Sequence, residues 1–488
     1  MLWWLSLLGL CGVLVMPLWL VDVPPLMDYP NHLARLFFLS QGTENADLAR
    51  FYAPRWAVIP DLGIDILGLL LLPWFPVHIA GRIIVAVVLL LPVLGAVAYG
   101  SAMAGRRSWW AFGSALVAFH ESFLLGFLNF TAGMGLALLL AALWVQWRES
   151  APRRMIVIAL LGCVGLFFCH LMGVIFFAML AGAHELAWIY CHRRHGARVI
   201  ARRICASAAV FIGPLMLFGL SALAREVDQP GFLSFGEKLR QLQAPWINYH
   251  FWLDAIGAGA SVAVVVVLLL RHRADISLRA WITLALVVLA YGLSPAVFSG
   301  VSNIDLRFVI LLGFLLFCAW APPRVPGWAV AVLGAVFLSR IAVLAVVWHG
   351  HAETLTQLRH VMAAVPAGST VHLVTGPRTD IGPLSARRLS SGLRIEGHLP
   401  ALLVIERHAW WPFLFDYQAQ QPIATRSPYR EMALRVDRLP RFPNMCDLDG
   451  FDYLLWLGID APAMPYLETA ATSGFATLLR VRDRGCAG

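Results

Sequence analysis

A series of long apolar stretches constrains this chain more than any other feature. A helix that crosses a bilayer needs roughly 20 mostly apolar residues. Eleven stretches approach or reach that length: 2–21, 78–100, 109–125, 127–147, 155–171, 172–190, 204–223, 251–270, 280–298, 307–321 and 327–348. The run 155–190 is too long for one span and divides at Cys169-His170, and 109–147 divides near Gly126 on the same ground. Composition agrees, with 60% of the 488 residues hydrophobic and 13% charged, about half the charged share of a soluble protein. The expected fold class is therefore an α-helical polytopic membrane protein of about eleven transmembrane helices, and a water-soluble enzyme of ordinary composition is excluded. The first stretch has no basic leading segment and no small-residue cleavage site, so it reads as a retained helix.

The formal net charge of +9 would suggest a polyanionic partner in a soluble protein. Here the basic residues are all arginine except Lys238, no lysine-rich tract occurs, and no nucleic-acid partner is expected. With the N-terminus placed in the cytoplasm, the loops on that side hold 14 arginines and three acidic residues, the asymmetry that sets orientation in membranes. An odd number of spans then puts the C-terminal segment outside. The expected location is a bacterial inner membrane, N-terminus cytoplasmic and tail periplasmic.

Residues 1–348 form the expected transmembrane domain, and 349–488 the expected extracytoplasmic α/β domain, with 27 charged residues among its 140. Within the tail, 353–365 has helical apolar spacing, and 370–374, 402–405, 451–457 and 475–481 read as short strands. Cys446 and Cys486 are its only cysteines. They read either as a disulfide in an oxidising compartment or as two free thiols. The eight cysteines of the chain form no CxxC pair, so no zinc or thioredoxin-type motif is read.

The unusual polar residues collect on the expected outer side. In the first outer loop, 22–77, Asp28, His32 and Arg35 are spaced i, i+4, i+7 and share one face of a helix that starts near Pro30. Asp28 reads as the cap of that helix, or as a general base or metal ligand beside a histidine and an arginine. The loop ends in an apolar stretch too short to span, which reads as a helix lying along the membrane surface. His120 and Glu121 fall towards the outer end of the third span, where an ionisable residue is a functional candidate by default. Asn129 in GFLNF, His170 at the turn between spans five and six, Tyr249 and His250 in PWINYHFW, and Asp305 are candidate substrate contacts; the plainer readings are a hydrogen-bonded structural histidine at His170 and an interfacial belt for the aromatic run with Tyr249. Asp305 and Arg307 open the tenth span and Arg340 lies inside the eleventh. Arginine suits phosphate through its forked donors, so Arg307, Arg340 and Arg35 are candidates for an anionic head group. The plainer readings pair Arg307 with Asp305, and pair Arg340 with Glu121 or let it snorkel to the interface.

An acidic residue just after the first span, surface-lying helices and a many-span bundle together resemble the GT-C glycosyltransferases. These include protein O-mannosyltransferases, the lipid A aminoarabinose transferase and arabinofuranosyltransferases. MDYPNHLAR stands where that class keeps its catalytic acidic motif, and NIDLRFVILLGFLLFCAWAP resembles a late arginine-bearing helix start. DYPNHLAR, GFLNF, HLMG and LPALLVIERHAWWPFLF…QPI also resemble uncharacterised bacterial multi-span proteins of this kind. The resemblance implies an inverting transfer from a polyprenyl-phosphate sugar to a glycan, lipid or protein acceptor of the cell envelope. It implies Asp28 as base or metal-organising carboxylate, Arg307 on the donor phosphate, Glu121 as a second acidic residue, and in some members a divalent metal such as Mg or Mn, with no other cofactor. The class often places two adjacent acidic residues in this loop, whereas this chain has Asp28-Tyr29. The competing functions are a lipid or polysaccharide transporter or flippase, which inverted repeats would favour, and a non-catalytic envelope assembly factor. No such repeat is visible in the sequence.

Overall fold

In a computed structural model, residues 1–194, 196–226, 229–376, 381–382, 384–436 and 444–482 are described. Among them seven helices are long and apolar enough to cross a membrane: Leu2–Trp19, Val77–Ala104, Leu128–Trp147, Pro152–Cys169, Leu171–Cys191, Phe251–Arg271 and Gly327–Met362. The bent pair Ala197–Ala209 and Ile212–Leu220 makes an eighth if it is one span. The protein is a multi-pass membrane protein. Leu278–Leu293 and Ile304–Cys318 occupy the ninth and tenth expected stretches, at 16 and 15 residues.

The third expected span, 109–125, is not a continuous helix. It folds as a 3-10 helix, Trp110–Val117, then a single α-helical turn, Glu121–Leu124. Gly113 lies against the ring of Phe317, where a Cβ would overlap. His120 is extended, and its Nδ1 accepts the amide of Phe123 at 3.0 Å, capping the short turn. Non-helical backbone at membrane depth is tolerated where protein covers it, and this segment is buried almost throughout.

The chain divides into two compact units. The first comprises Met1–Pro17, Val58–Ile64 and Ile83–Leu344. Small residues let its helices approach backbone to backbone. A Cβ on Gly135 would stand 2.5 Å from the Leu91 carbonyl carbon, and one on Gly173, in HLMG, 2.9 Å from the Gly133 oxygen. On the outside the helices present large apolar residues such as Leu215 and Leu293, the surface a helix offers to lipid.

The second unit comprises Leu18–Ala57, Asp65–Arg82 and Ala345–Gly488, so the first loop folds with the tail and the compact units cut across the linear division at 348. One core joins Ala34, Phe38, Phe51 and Tyr52 of the loop to Val404, Trp410, Trp411 and Phe451 of the tail. The Tyr52 hydroxyl donates to the Trp411 carbonyl and accepts the Trp411 amide, both at 3.0 Å, and Tyr52–Pro54 pairs antiparallel with Ile423–Thr425. The tail sheet runs Val371–Thr375, Tyr453–Leu457, Ala476–Val481 and Leu467–Ser473 in spatial order, parallel at the first pair and antiparallel after it.

Two tail expectations change. The helix read at 353–365 is continuous with the last span in one 36-residue helix, Gly327–Met362, because no proline interrupts the helical pattern before Pro366. The apolar run at 402–405 is the short helix Leu402–Glu406, not a strand. A short apolar run does not distinguish the two by periodicity, and here the chain enters it from a 3-10 turn, Glu396–Ala401. Cys446 is disulfide-bonded; Cys486 lies outside the described residues.

Candidate functional site

The expected site residues fall into two groups, one in each unit. In the second unit, the helix Tyr29–Phe37 carries Pro30 in its first turn, and nearly all of it is buried. Asp28 occupies the N-cap position but makes no side-chain cap bond. Its Oδ1 instead faces Nδ1 of His398 at 2.9 Å. His32 is buried, its ring T-shaped to Phe415 at 5.9 Å, and the same Phe415 ring meets His398 at 5.2 Å. Asn31 accepts the indole N–H of Trp411 at 3.1 Å, which ties the DYPNHLAR helix to the WW motif of the tail.

Arg35 corrects an expectation. Its Nε and Nη2 donate to Asp65 at 2.7 and 2.9 Å, its Nη1 donates to Gln421, and both ion-pair side chains are 0% exposed. Each of the three guanidinium nitrogens makes a hydrogen bond within the fold, and the side chain is fully buried. Nearby in the chain, Asp22 shares Arg359 with Glu406, both at 2.8 Å. Burial works against the charged Asp22 carboxyl, but the Arg359 hydrogen bond and the charges of His78, Arg359 and Arg82 together outweigh it and hold Asp22 below its ordinary value.

In the first unit, Arg307 stands in the first turn of Ile304–Cys318, 8% exposed. It does not pair with Asp305, which turns to Lys238 at 3.6 Å and accepts from Gln241 at 3.1 Å and from its neighbour's amide. Among the described residues Arg307 forms no ion pair. The rings of Phe127 and Phe130 lie 5.8 and 5.6 Å from its guanidinium carbon, and Asp61 and His170 are within electrostatic reach. Its Nε is buried with no hydrogen-bond partner. Glu121 is buried in the same unit.

Five more of the expected residues have these partners or surroundings. Arg340 donates to the Trp246 carbonyl at 2.6 Å and pairs with Asp254 at 3.2 Å, not with Glu121. The side chain of Asn129 accepts the Ile64 amide at 2.7 Å and donates to the Asp61 carbonyl at 2.8 Å, pinning the segment that carries Asp61. His170 and His250 each cap a helix through Nδ1, accepting from Met172 at 3.1 Å and Leu253 at 3.4 Å. Tyr249 is buried.

The donor set at Asp28 is one carboxylate hydrogen-bonded to one imidazole. Among the described residues no group of three or more His, Cys, Asp or Glu side chains is placed to hold a metal. No step below runs through a metal.

Sequence reasoning missed His398, Phe415, Asp65 and Gln421. Phe415 and Gln421 belong to the tail stretch singled out by resemblance, and His398 immediately precedes it. No periodicity connects residues 370 positions apart.

No family model matches the chain, and no curated protein matches it. Among solved structures, the crystal structure of ArnT from Cupriavidus metallidurans in the apo state is similar over 100% of this chain and 99% of that one, with a TM-score of 0.54 at 11% identity. The cryo-EM structure of the arabinofuranosyltransferase AftD from Mycobacteria is similar over 98% of this chain and 40% of that one, with a TM-score of 0.44 at 15% identity. The chain has the fold of the GT-C-type membrane glycosyltransferases.

Proposed function

We propose that this chain, which has the GT-C fold, is a membrane glycosyltransferase that moves a sugar from a polyprenyl-phosphate donor to a cell-envelope acceptor on the outer face of a bacterial inner membrane. Arg307 carries the reading. A guanidinium with 8% exposure and no ion pair among the described residues is costly to bury and is offset by an anionic ligand. Arginine matches phosphate oxygens through two parallel donors. In this reading Arg307 stabilises charge gathering on the leaving phosphate, and the Asp28 region receives the proton of the acceptor hydroxyl. Attack opposite the leaving phosphate inverts the anomeric centre. The 14 cytoplasmic-side arginines support the orientation that puts Asp28 outside.

The test is transfer from a labelled polyprenyl-phosphate sugar by purified full-length protein. Arg307→Ala and Asp28→Ala are each expected to lower transfer by about 100-fold or more, with both variants inserted and folded. Unchanged envelope glycans and unchanged transfer in both would show that the chain acts by other means, as a transporter or an assembly factor.

A further inference from the structure

Asp28 does not face solvent alone. Its carboxylate is bonded to a histidine that the tail brings from 370 residues away. A carboxylate only accepts hydrogen bonds, so the shared hydrogen sits on Nδ1 of His398 and leaves Nε2 as the basic nitrogen. The two imidazole nitrogens lie on different edges of the ring, so Nε2 is directed away from Asp28. It has no protein partner among the described residues. The side chains of His398 and Asp28 are 20% and 13% exposed, so the pair is shielded yet open on one side. Its position is built rather than incidental. His398 sits in the turn Glu396–Ala401, anchored at its start by the buried ion pair of Arg387 with Glu396 and at its end by buried Leu399 and Pro400. Phe415 braces the ring edge-on and braces His32 as well.

We infer that His398, contributed by the tail, is the proton acceptor of the transfer reaction, and that Asp28 is the carboxylate that fixes its tautomer and orientation. The inference rests on the glycosyltransferase reading and reassigns the base within it. The acceptor O–H yields its proton to Nε2 while its oxygen bonds to the anomeric carbon. The bond from that carbon to the phosphate oxygen breaks, and its electron pair leaves with the polyprenyl phosphate. The Nδ1–H stays on His398, hydrogen-bonded to Asp28, whose negative charge balances the imidazolium until the proton passes to water. A carboxylate in this role leaves the histidine correctly protonated before reaction, and an amide in its place favours the other tautomer. This also gives the tail a purpose that a mere cover over the membrane part would not need.

Three full-length variants decide it: His398→Gln, His398→Ala and Asp28→Asn, each compared with wild type by thermal unfolding and by transfer from a labelled polyprenyl-phosphate sugar. Glutamine can still donate to Asp28 but cannot take a proton. His398→Gln is therefore expected to fold as wild type does and to lose transfer by about 100-fold or more, and added imidazole is expected to restore part of the activity of His398→Ala. A His398→Gln variant with near-normal turnover would overturn the inference while leaving the glycosyltransferase reading intact. A second arm needs no turnover. Diethyl pyrocarbonate attacks an unprotonated imidazole nitrogen, and labelling of His398, mapped by mass spectrometry, is expected to slow about tenfold in Asp28→Asn. Equal labelling in wild type and Asp28→Asn would remove the orienting role of Asp28. If wild type transfers no sugar, the functional reading fails, and the labelling arm still decides the dyad.

Discussion

The guanidinium of Arg35 lies in a two-point bond with the carboxylate of Asp65, at 2.7 and 2.9 Å, with no solvent on either side chain. The pair joins the DYPNHLAR helix to the short helix Gly63–Leu71, and Gln421 of the tail closes it. Removing one partner of a buried pair strands the other charge. Asp65→Ala is expected to destabilise the protein by about 3–5 kcal/mol, read as loss of folded, monodisperse protein. Arg35→Met with Asp65→Leu together is expected to recover much of that loss, since no charge is then left buried. An Asp65→Ala variant as stable as wild type would contradict the engaged role given to Arg35.

Arg340 is expected to act on stability and not on donor binding. It pairs with Asp254 and holds the Trp246 carbonyl. Arg340→Ala leaves Asp254 buried without its cation and should lower the unfolding temperature, while donor KM measured on the folded fraction stays within about twofold, the range for a change that removes no substrate contact. A large rise in KM at unchanged stability would return Arg340 to the phosphate-binding set.

The helix contacts at Gly135 and Gly165 differ sharply. A Cβ on Gly135 meets backbone at 2.5 Å, whereas one on Gly165 meets nothing within 4 Å. Gly135→Leu is expected to cost about 1–3 kcal/mol or more through forced separation of the helices, and Gly165→Leu close to nothing. Size-exclusion profiles and thermal unfolding of the two variants in one detergent compare them directly.

Acid should weaken the tail through His372. This residue lies in the strand Val371–Thr375, with its ring near Phe451 and Phe413. Burial pushes its pKa down from 6.5 to about 4. The folded state then binds fewer protons than the unfolded state between those values, so stability is complete above pH 6.5 and falls as the pH drops toward 4. The loss reaches about 3 kcal/mol from this group. His372→Phe should flatten that part of the stability profile; an unchanged slope would rule His372 out as its source.

Much of the membrane architecture was legible in the residues. Ten of the eleven apolar stretches contain a helix or a bent helix pair, because a run of apolar side chains long enough to cross a bilayer has few other ways to satisfy its backbone. The exception, 109–125, carries His120 and Glu121 among its apolar residues, and Gly113 and the His120 cap break it. The helix expected to start near Pro30 is there as Tyr29–Phe37, with Asp28 at its N-cap and His32 and Arg35 within it, since that pattern is local. It did not reveal what each side chain meets. Asp28 reads as a cap, a base or a metal ligand, and Arg35 as a phosphate ligand, without their partners, because His398, Asp65 and Gln421 are 30 to 386 residues away.

The sequence by itself determined that this is a many-span membrane protein with a charged outer loop and a separate tail composition, because hydropathy and charge act on segments one at a time. Tertiary structure alone decided that the first loop and the tail share one core. It also decided that Arg35 and Arg340 are held in ion pairs, that Arg307 is left without one among the described residues, and that a tail histidine stands on Asp28. Each of those outcomes depends on which distant groups share a buried space, and burial makes an unmatched charge costly enough to choose its partner.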